Sequence, residues 1–372
     1  MRDRSRRARQ RDSGEGTSQP SPVGGLLDRR TLITRGAATL SAFGVAGVAA
    51  ACGSSSGGTT SASSAGGGAK SGNGSKQMAF AQPDTAFAGY PLLFKGVKDY
   101  ASSRGFTVLE SHANSKLDAQ VSEINTWIAQ GVGGIIVLPL DNDAMHPLIV
   151  KAHQANVKFL DYSDNALPGV DGWVIFNNLQ GAKLVGTYVG NWVNKTLGGA
   201  AKVALLTHEI QKTGRDRIHG AVAAMQQVAP NAKVVTQHEG VLAADTLPVA
   251  QSMLQANPDL SVFICIADDG CLGVERAFSQ THPSAERTSK MCIVGFDGTM
   301  PVFEKIVANS AIRATGALDL IKVGNASAEV TINAVEGKQP TKISYPYVLC
   351  AQTPAGLAQT HALINRYKAV TG

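Results

Sequence analysis

The chain has 372 residues, 44% of them hydrophobic, 17% charged and 6% aromatic, with 40 glycines. That length accommodates two globular domains, and the composition excludes a fibrous or wholly disordered chain. Lys and Arg number 34 against 28 Asp and Glu, but nine arginines and four acids fall in the first 35 residues, leaving 25 basic and 24 acidic residues for the rest. A near-neutral body lacks the charge needed to track phosphates, so no nucleic-acid partner is expected.

Gly36–Ala51 is an uncharged, Ala- and Gly-rich run of 16 residues. It is short for a bilayer-spanning helix and matches the apolar region of a signal peptide, which predicts export. Val48-Ala49-Ala50-Ala51-Cys52 resembles the lipobox of bacterial lipoproteins, in which the cysteine is lipidated and becomes the first mature residue; Ala49 stands where Leu is commoner. Asp28-Arg29-Arg30-Thr31-Leu32-Ile33 resembles a twin-arginine signal, with Asp28 and Leu32 departing from it, so Sec and twin-arginine export both stay open. Residues 1–51 are thus expected to be a signal peptide, with Cys52 the lipidation site and a membrane anchor. Gly53–Lys76 contains eight glycines, eight serines and no large apolar side chain, so residues 52–76 read as a flexible tether. As a coil it spans about 25–30 Å. Gly53-Ser54-Ser55-Ser56-Gly57 matches a nucleophile-elbow pattern only formally, because no strand and helix flank it.

Beyond Lys76 the pattern becomes an alternation of strands and helices. Apolar or β-branched runs recur at Met78–Ala81, Phe106–Glu110, Gly134–Leu138, Val157–Tyr162, Val174–Phe176, Lys202–Thr207, Val234–His238, Ser261–Ala267 and Met291–Phe296. Between them lie stretches with apolar residues near 3.6 spacing, such as Leu117–Gln130 and Leu184–Thr196. Single helices between strands mean βαβ units, a parallel sheet and right-handed crossovers. About nine strands exceed one small sheet, which predicts an α/β protein of two doubly wound, Rossmann-like parallel-sheet lobes joined by a hinge. The division is expected near Asn177–Asn178. Residues 77–177 and 318–340 are assigned to the N-terminal lobe, and 178–317 and 341–372 to the C-terminal lobe. Gly316–Glu336 reads as the helix that returns the chain to the first lobe, Tyr345–Cys350 as the segment crossing back, and Thr353–Tyr367 as helical in composition.

Five segments then resemble, in order, the periplasmic sugar-binding proteins of ABC transporters, of the ribose-binding type, whose class I fold is shared with LacI-like effector domains. They are Gly131-Val132-Gly133-Gly134-Ile135-Ile136-Val137-Leu138-Pro139 with the Asp141/Asp143 helix start, Asn177–Lys183, Gly214–Gly220, Ala267–Gly273 and Ile293–Thr299. The resemblance covers residues 77–350. It implies a solute-binding lipoprotein that captures a monosaccharide, sugar alcohol or similar polar solute and delivers it to an ABC permease and its ATPase, acting as a monomer and as no enzyme. A sensor of the same fold, feeding a receptor kinase or chemoreceptor, is the alternative. A repressor is disfavoured because no helix-turn-helix precedes the fold.

In doubly wound sheets ligands bind beyond the carboxyl ends of the strands, where Asp164, Asp268 and Asp297 fall. A polyol needs carboxylate or amide acceptors, guanidinium or amide donors and an aromatic face. Asp297, in the segment most similar to the family, and Arg217, at the position of its ligand arginine, lead the candidates. Arg215, Asp164, Asn165 and Asp268 follow, with Phe87 and Tyr90 in the first loop as stacking faces. Trp127 and Trp173 are assigned mainly to packing. Ala267 stands where the family has a ligand-binding Asn, and Leu318 beside Asp319 where it has Gln or Asn, so the solute is expected to differ from ribose. Cys265, Cys271, Cys292 and Cys350 are either disulfide-forming or small buried hydrophobes. No zinc-spacing, P-loop or dinucleotide motif occurs, so neither a metal nor a cofactor is expected.

Overall fold

The computed structural model describes residues 74–85, 87–163 and 166–371. The expected signal peptide, Cys52 and nearly all of the tether lie outside the described residues. Regular structure begins at Gln77 with the first strand, and the carbonyl of Lys76 just before it accepts the N–H of Thr107 at 2.8 Å.

The first run of elements is β1 (Gln77–Gln82), α1 (Tyr90–Ser103), β2 (Thr107–His112), α2 (Leu117–Gln130), β3 (Gly134–Val137), α3 (Asn142–Gln154), β4 (Lys158–Ser163) and β5 (Gly172–Phe176). The second is α4 (Asn178–Leu197), β6 (Ala200–Thr207), α5 (Lys212–Val228), β7 (Asn231–Glu239), α6 (Ala243–Ala256), β8 (Leu260–Cys265), α7 (Asp268–Ser279), α8 (Ala285–Ser289), β9 (Cys292–Asp297), α9 (Met300–Val307) and β10 (Ile312–Ala317). The chain ends with α10 (Leu320–Val335), β11 (Thr341–Tyr345), β12 (Val348–Ala351) and α11 (Pro354–Thr371).

These strands form two six-stranded sheets, in the orders β11-β5-β4-β3-β1-β2 and β12-β10-β9-β8-β6-β7. All neighbours run parallel except β12, which is antiparallel to β10. Helices cover the parallel sheets on both faces, which is why β3 and β9 are buried along their whole length and read as continuous apolar runs. The expected pair of parallel-sheet lobes is therefore the observed fold.

Local chemistry sets the starts of the helices. The carboxylate of Asp141 accepts the N–H of Ala144 at 2.8 Å to cap α3, and the amide oxygen of Asn177 accepts the N–H of Gln180 at 3.0 Å to cap α4. Helix α2 ends at Gly131, whose φ of 69° is the left-handed cap that glycine adopts without strain.

The chain crosses between the sheets three times, at Phe176–Asn178, Ala317–Leu320 and Tyr345–Val348. The last crossing differs from the expected boundary at 341. Strand β11 pairs in parallel with β5, Thr341 opposite Gly172 and Tyr345 opposite Phe176, so residues 341–345 extend the first sheet. Pro346 and Tyr347 then carry the chain over. The short run Lys342–Tyr345 carries alternating burial on an edge strand, a weak signal that an unpaired sequence window cannot assign to either lobe.

The four cysteines of the described residues are buried free thiols. Cys265 and Cys292 lie on adjacent strands, but the register sets Cys292 opposite Val262. Trp127 is buried in the first-lobe core and Trp173 packs partly buried against the same core, in line with the packing roles expected.

Candidate functional site

The carboxyl ends of both sheets face the crossings, and Arg217 stands at their centre. It projects from the first half of α5, and only 7% of its surface is exposed. Its Nη1 donates to Asp297 Oδ1 at 2.8 Å and to the Ile266 carbonyl at 3.0 Å. Its Nε donates to Asn178 Oδ1 at 3.1 Å and its Nη2 to the Tyr347 hydroxyl at 2.8 Å. Tyr347 in turn donates to Asn178 Oδ1 at 2.7 Å. The guanidinium also lies 5.3 Å from the Phe296 ring centroid and 5.8 Å from that of Tyr347, a distance at which aromatic faces attract cations. Burial alone would lower its pKa, but Tyr347 and Asp297 outweigh that and raise it, so the charge persists.

Tyr347 and Asn178 belong to two of the three crossings, which ties this charge centre to the hinge. A side chain at Gly181 would bring a Cβ within 2.7 Å of the Tyr347 ring, so the small residue in α4 admits the tyrosine. The amide of Gln180 holds the Tyr347 backbone from both sides, accepting its N–H at 2.9 Å and donating to its carbonyl at 3.2 Å.

Asp297 ends β9 with a φ of 116°, a region that non-glycine residues rarely occupy. Strain of that kind persists only where the surroundings enforce it. Asp268 does so. Its Oδ2 accepts the N–H groups of Gly298 and Thr299 at 2.9 and 2.8 Å and the Thr299 hydroxyl at 3.1 Å, while Oδ1 accepts the Thr315 hydroxyl at 2.7 Å. Burial, and then the nearby Asp297, push the Asp268 carboxyl up to about 8. Burial likewise raises the Asp297 carboxyl, with Arg217 opposing the shift. The direct solute contact expected of Asp268 is therefore corrected: fully buried, with both carboxylate oxygens committed, it positions the loop that presents Asp297.

The next residue, Asp269, faces the other way. Its carboxylate accepts the N–H of Ala88, in the loop between β1 and α1, so the two lobes meet at this point. Burial first, then Asp297, raise its pKa to about 6, and Asp84 adds to the effect. Its Oδ2 has no hydrogen-bond partner among the described residues, and the same holds for the Tyr162 hydroxyl and for Asn178 Nδ2.

From the first lobe come Tyr90 and Phe87, with ring centroids 4.9 Å apart and planes at 86°. Burial holds the Tyr90 hydroxyl well above the ordinary phenol range, and Tyr162, Asp84, Asp297 and Asp269 reinforce the shift, which places this ring opposite the second lobe's carboxylates. Phe87 is half-buried against the core.

Thus Arg217, Asp297, Tyr90 and Phe87 lie around the junction of the lobes. Arg215 does not join them: it is exposed, and its guanidinium donates to the carbonyls of Glu209 and Ile210. Two residues along a helix is a turn of about 200°, so only one of the pair can point inward. Asp164 and Asn165 lie outside the described residues. Asp269, Asn178, Tyr162 and Tyr347 were not singled out from sequence. The one available signal was position, because Tyr347 lies within the stretch expected to cross between lobes.

Two doubly wound lobes, three crossings and a polar centre between them define a hinged ligand clamp. Residues 78–339 match the family model described as periplasmic binding protein domain, and the chain belongs to that family. Among its relatives is the ribose import binding protein of Bacillus subtilis, 24% identical over 270 residues that cover 70% of this chain and 82% of the relative. Among solved structures, a Mycobacterium smegmatis ABC transporter solute binding protein with bound glycerol superposes with a TM-score of 0.68 at 21% identity, covering 76% of this chain and 96% of its own. An Agrobacterium radiobacter carbohydrate transporter solute binding protein in complex with D-arabinose superposes with a TM-score of 0.69 at 17% identity, covering 78% and 99%.

Proposed function

We propose that this protein is the solute-binding component of an ABC importer, exported and held at the membrane through a lipid on Cys52. It closes on a monosaccharide, sugar alcohol or similar polyhydroxylated solute and delivers it to a permease with its ATPase. The observation that carries this reading is the buried Arg217–Asp297 pair at the crossings, hydrogen-bonded to Asn178 and Tyr347. Unpartnered acceptor and donor atoms on Asp269, Tyr162 and Asn178 supply the mixed hydrogen bonding that hydroxyl groups require. The sugar- and polyol-binding relatives support the solute class. No bond is made or broken in this role: contacts to both lobes shift the population towards the closed state.

The test is thermal shift of the purified full chain against pentoses, hexoses, sugar alcohols, nucleosides and amino acids. A ligand at a hundred times its dissociation constant stabilises by about 2.7 kcal/mol, which a melting curve resolves. A polyol-specific shift that Asp297→Ala and Arg217→Ala both abolish is the expected result. A shift with amino acids or nucleosides alone overturns the solute class.

A further inference from the structure

The charge arrangement around Asp269 narrows the solute class, and this step rests on the polyol-binding reading. Arg217 is the site's guanidinium, and Asp297, 2.8 Å from Nη1, neutralises it. Four of its five N–H groups are already engaged, by Asn178, Ile266, Asp297 and Tyr347. Asp269 therefore has no claim on that charge. The ionisable groups that act on it from the surrounding elements are Asp297 at the end of β9 and Asp84 in the β1–α1 loop, both acidic.

Asp269 is itself 93% buried, since 7% of its surface is exposed, and its Oδ2 has no partner among the described residues. The Ala88 N–H engages the carboxylate but carries no net charge. The N-terminus of α7, where Asp269 is the second residue, contributes about half a unit of positive charge at most. A neutral hydroxyl can hydrogen-bond to Oδ2 but cannot neutralise it. An ammonium does both. Around the same junction Tyr90 and Phe87 pack edge to face, and Tyr162 packs 6.5 Å from Phe176, centroid to centroid. Aromatic faces favour a cation over a neutral group.

We propose that Asp269 is a specificity residue for a positively charged polyol, an amino sugar or amino alditol whose ammonium sits against its Oδ2 while the hydroxyls engage Arg217, Asp297 and Asn178. The carboxylate on α7 then recognises the ligand's charge, and the pair on α5 and β9 recognises its hydroxyls.

Calorimetric titration of the full chain with matched probes tests this: D-glucose against D-glucosamine, D-galactose against D-galactosamine, and D-sorbitol against D-glucamine. In at least one pair the amino member is expected to bind tenfold or more tightly than its neutral counterpart. Asp269→Asn, which removes the charge but keeps an amide oxygen at the same place, should remove most of that preference by weakening the amino member far more than the neutral one. Asp269→Glu, which keeps the charge, should retain the preference, and melting curves of both variants establish that they fold. Equal or tighter binding of the neutral member in every pair overturns the inference and leaves the polyol reading intact, as does an unchanged preference in Asp269→Asn. Binding by none of the six probes, with a shift by an unrelated solute class, overturns the polyol reading and this inference with it.

Discussion

The hydroxyl of Tyr367, near the end of α11, accepts the backbone N–H of Leu320 at 3.1 Å, at the point where the second crossing becomes α10. Its own proton points to the carbonyls of Leu318 at 3.0 Å and Gly298 at 3.3 Å. One hydroxyl thus joins the C-terminal helix to a hinge segment and to the loop that follows Asp297. Arg366 forms an ion pair with Asp319 in the same crossing. The helix, seated on β12 and α9, braces the hinge from the second lobe.

Removing that hydroxyl isolates a buried N–H. Tyr367→Phe is expected to lower the unfolding free energy by about 1–3 kcal/mol, the usual effect of leaving such a group unsatisfied. Urea denaturation followed by fluorescence measures it, and a loss under about 0.5 kcal/mol would contradict the bracing role.

Asp268 offers a sharper contrast between two substitutions. Asp268→Ala strands the N–H groups of Gly298 and Thr299 and releases the strained backbone at Asp297, with an expected loss of about 3 kcal/mol or more. Asp268→Asn keeps one acceptor oxygen and should lose less. Equal losses for the two variants, read by denaturant unfolding, would show that the hydrogen bonds to this loop contribute little.

Arg217→Met leaves the Asp297 carboxylate buried without its partner, which destabilises by about 3–5 kcal/mol. The double variant Arg217→Met with Asp297→Asn removes both charges and should recover part of the loss. A double-mutant cycle by chemical denaturation reads the coupling, and strict additivity would argue against a direct pair.

For Asp269 the folded protein binds its proton more tightly than the unfolded chain does, because the pKa rises from 3.8 to about 6. The resulting contribution to stability is present below about pH 4, where both states are protonated, and is lost as pH rises towards about 6. Asp84, Asp297 and Tyr90 interact electrostatically with this group, so the measurement compares wild type with Asp269→Asn at each pH. The melting temperature of wild type relative to the variant should fall between pH 4 and 6 and level off above. A flat difference would mean that Asp269 ionises freely.

The alternation of apolar strand runs with helical stretches was legible because a parallel sheet covered on both faces makes its strands continuous apolar segments, as β3 and β9 show. The positions of Arg217 and Asp297 were legible for a related reason: ligands meet such sheets at the carboxyl ends of the strands, and each residue occupies a segment that resembles the family. The choice between neighbours was not. Asp268 and Asp269 follow the same strand and differ only in the direction that the first turn of α7 gives their side chains.

By itself the sequence determined the α/β class, the division into two lobes and the parallel strands, because hydrophobic periodicity is a local property. Only the tertiary structure decided that Lys342–Tyr345 extends the first sheet, that Tyr347 and Asn178 meet Arg217, and that α11 braces the second crossing through Tyr367. Those contacts join residues as much as 169 positions apart, as between Asn178 and Tyr347. No local preference encodes such a meeting, because it depends on where three crossings bring the ends of two sheets together.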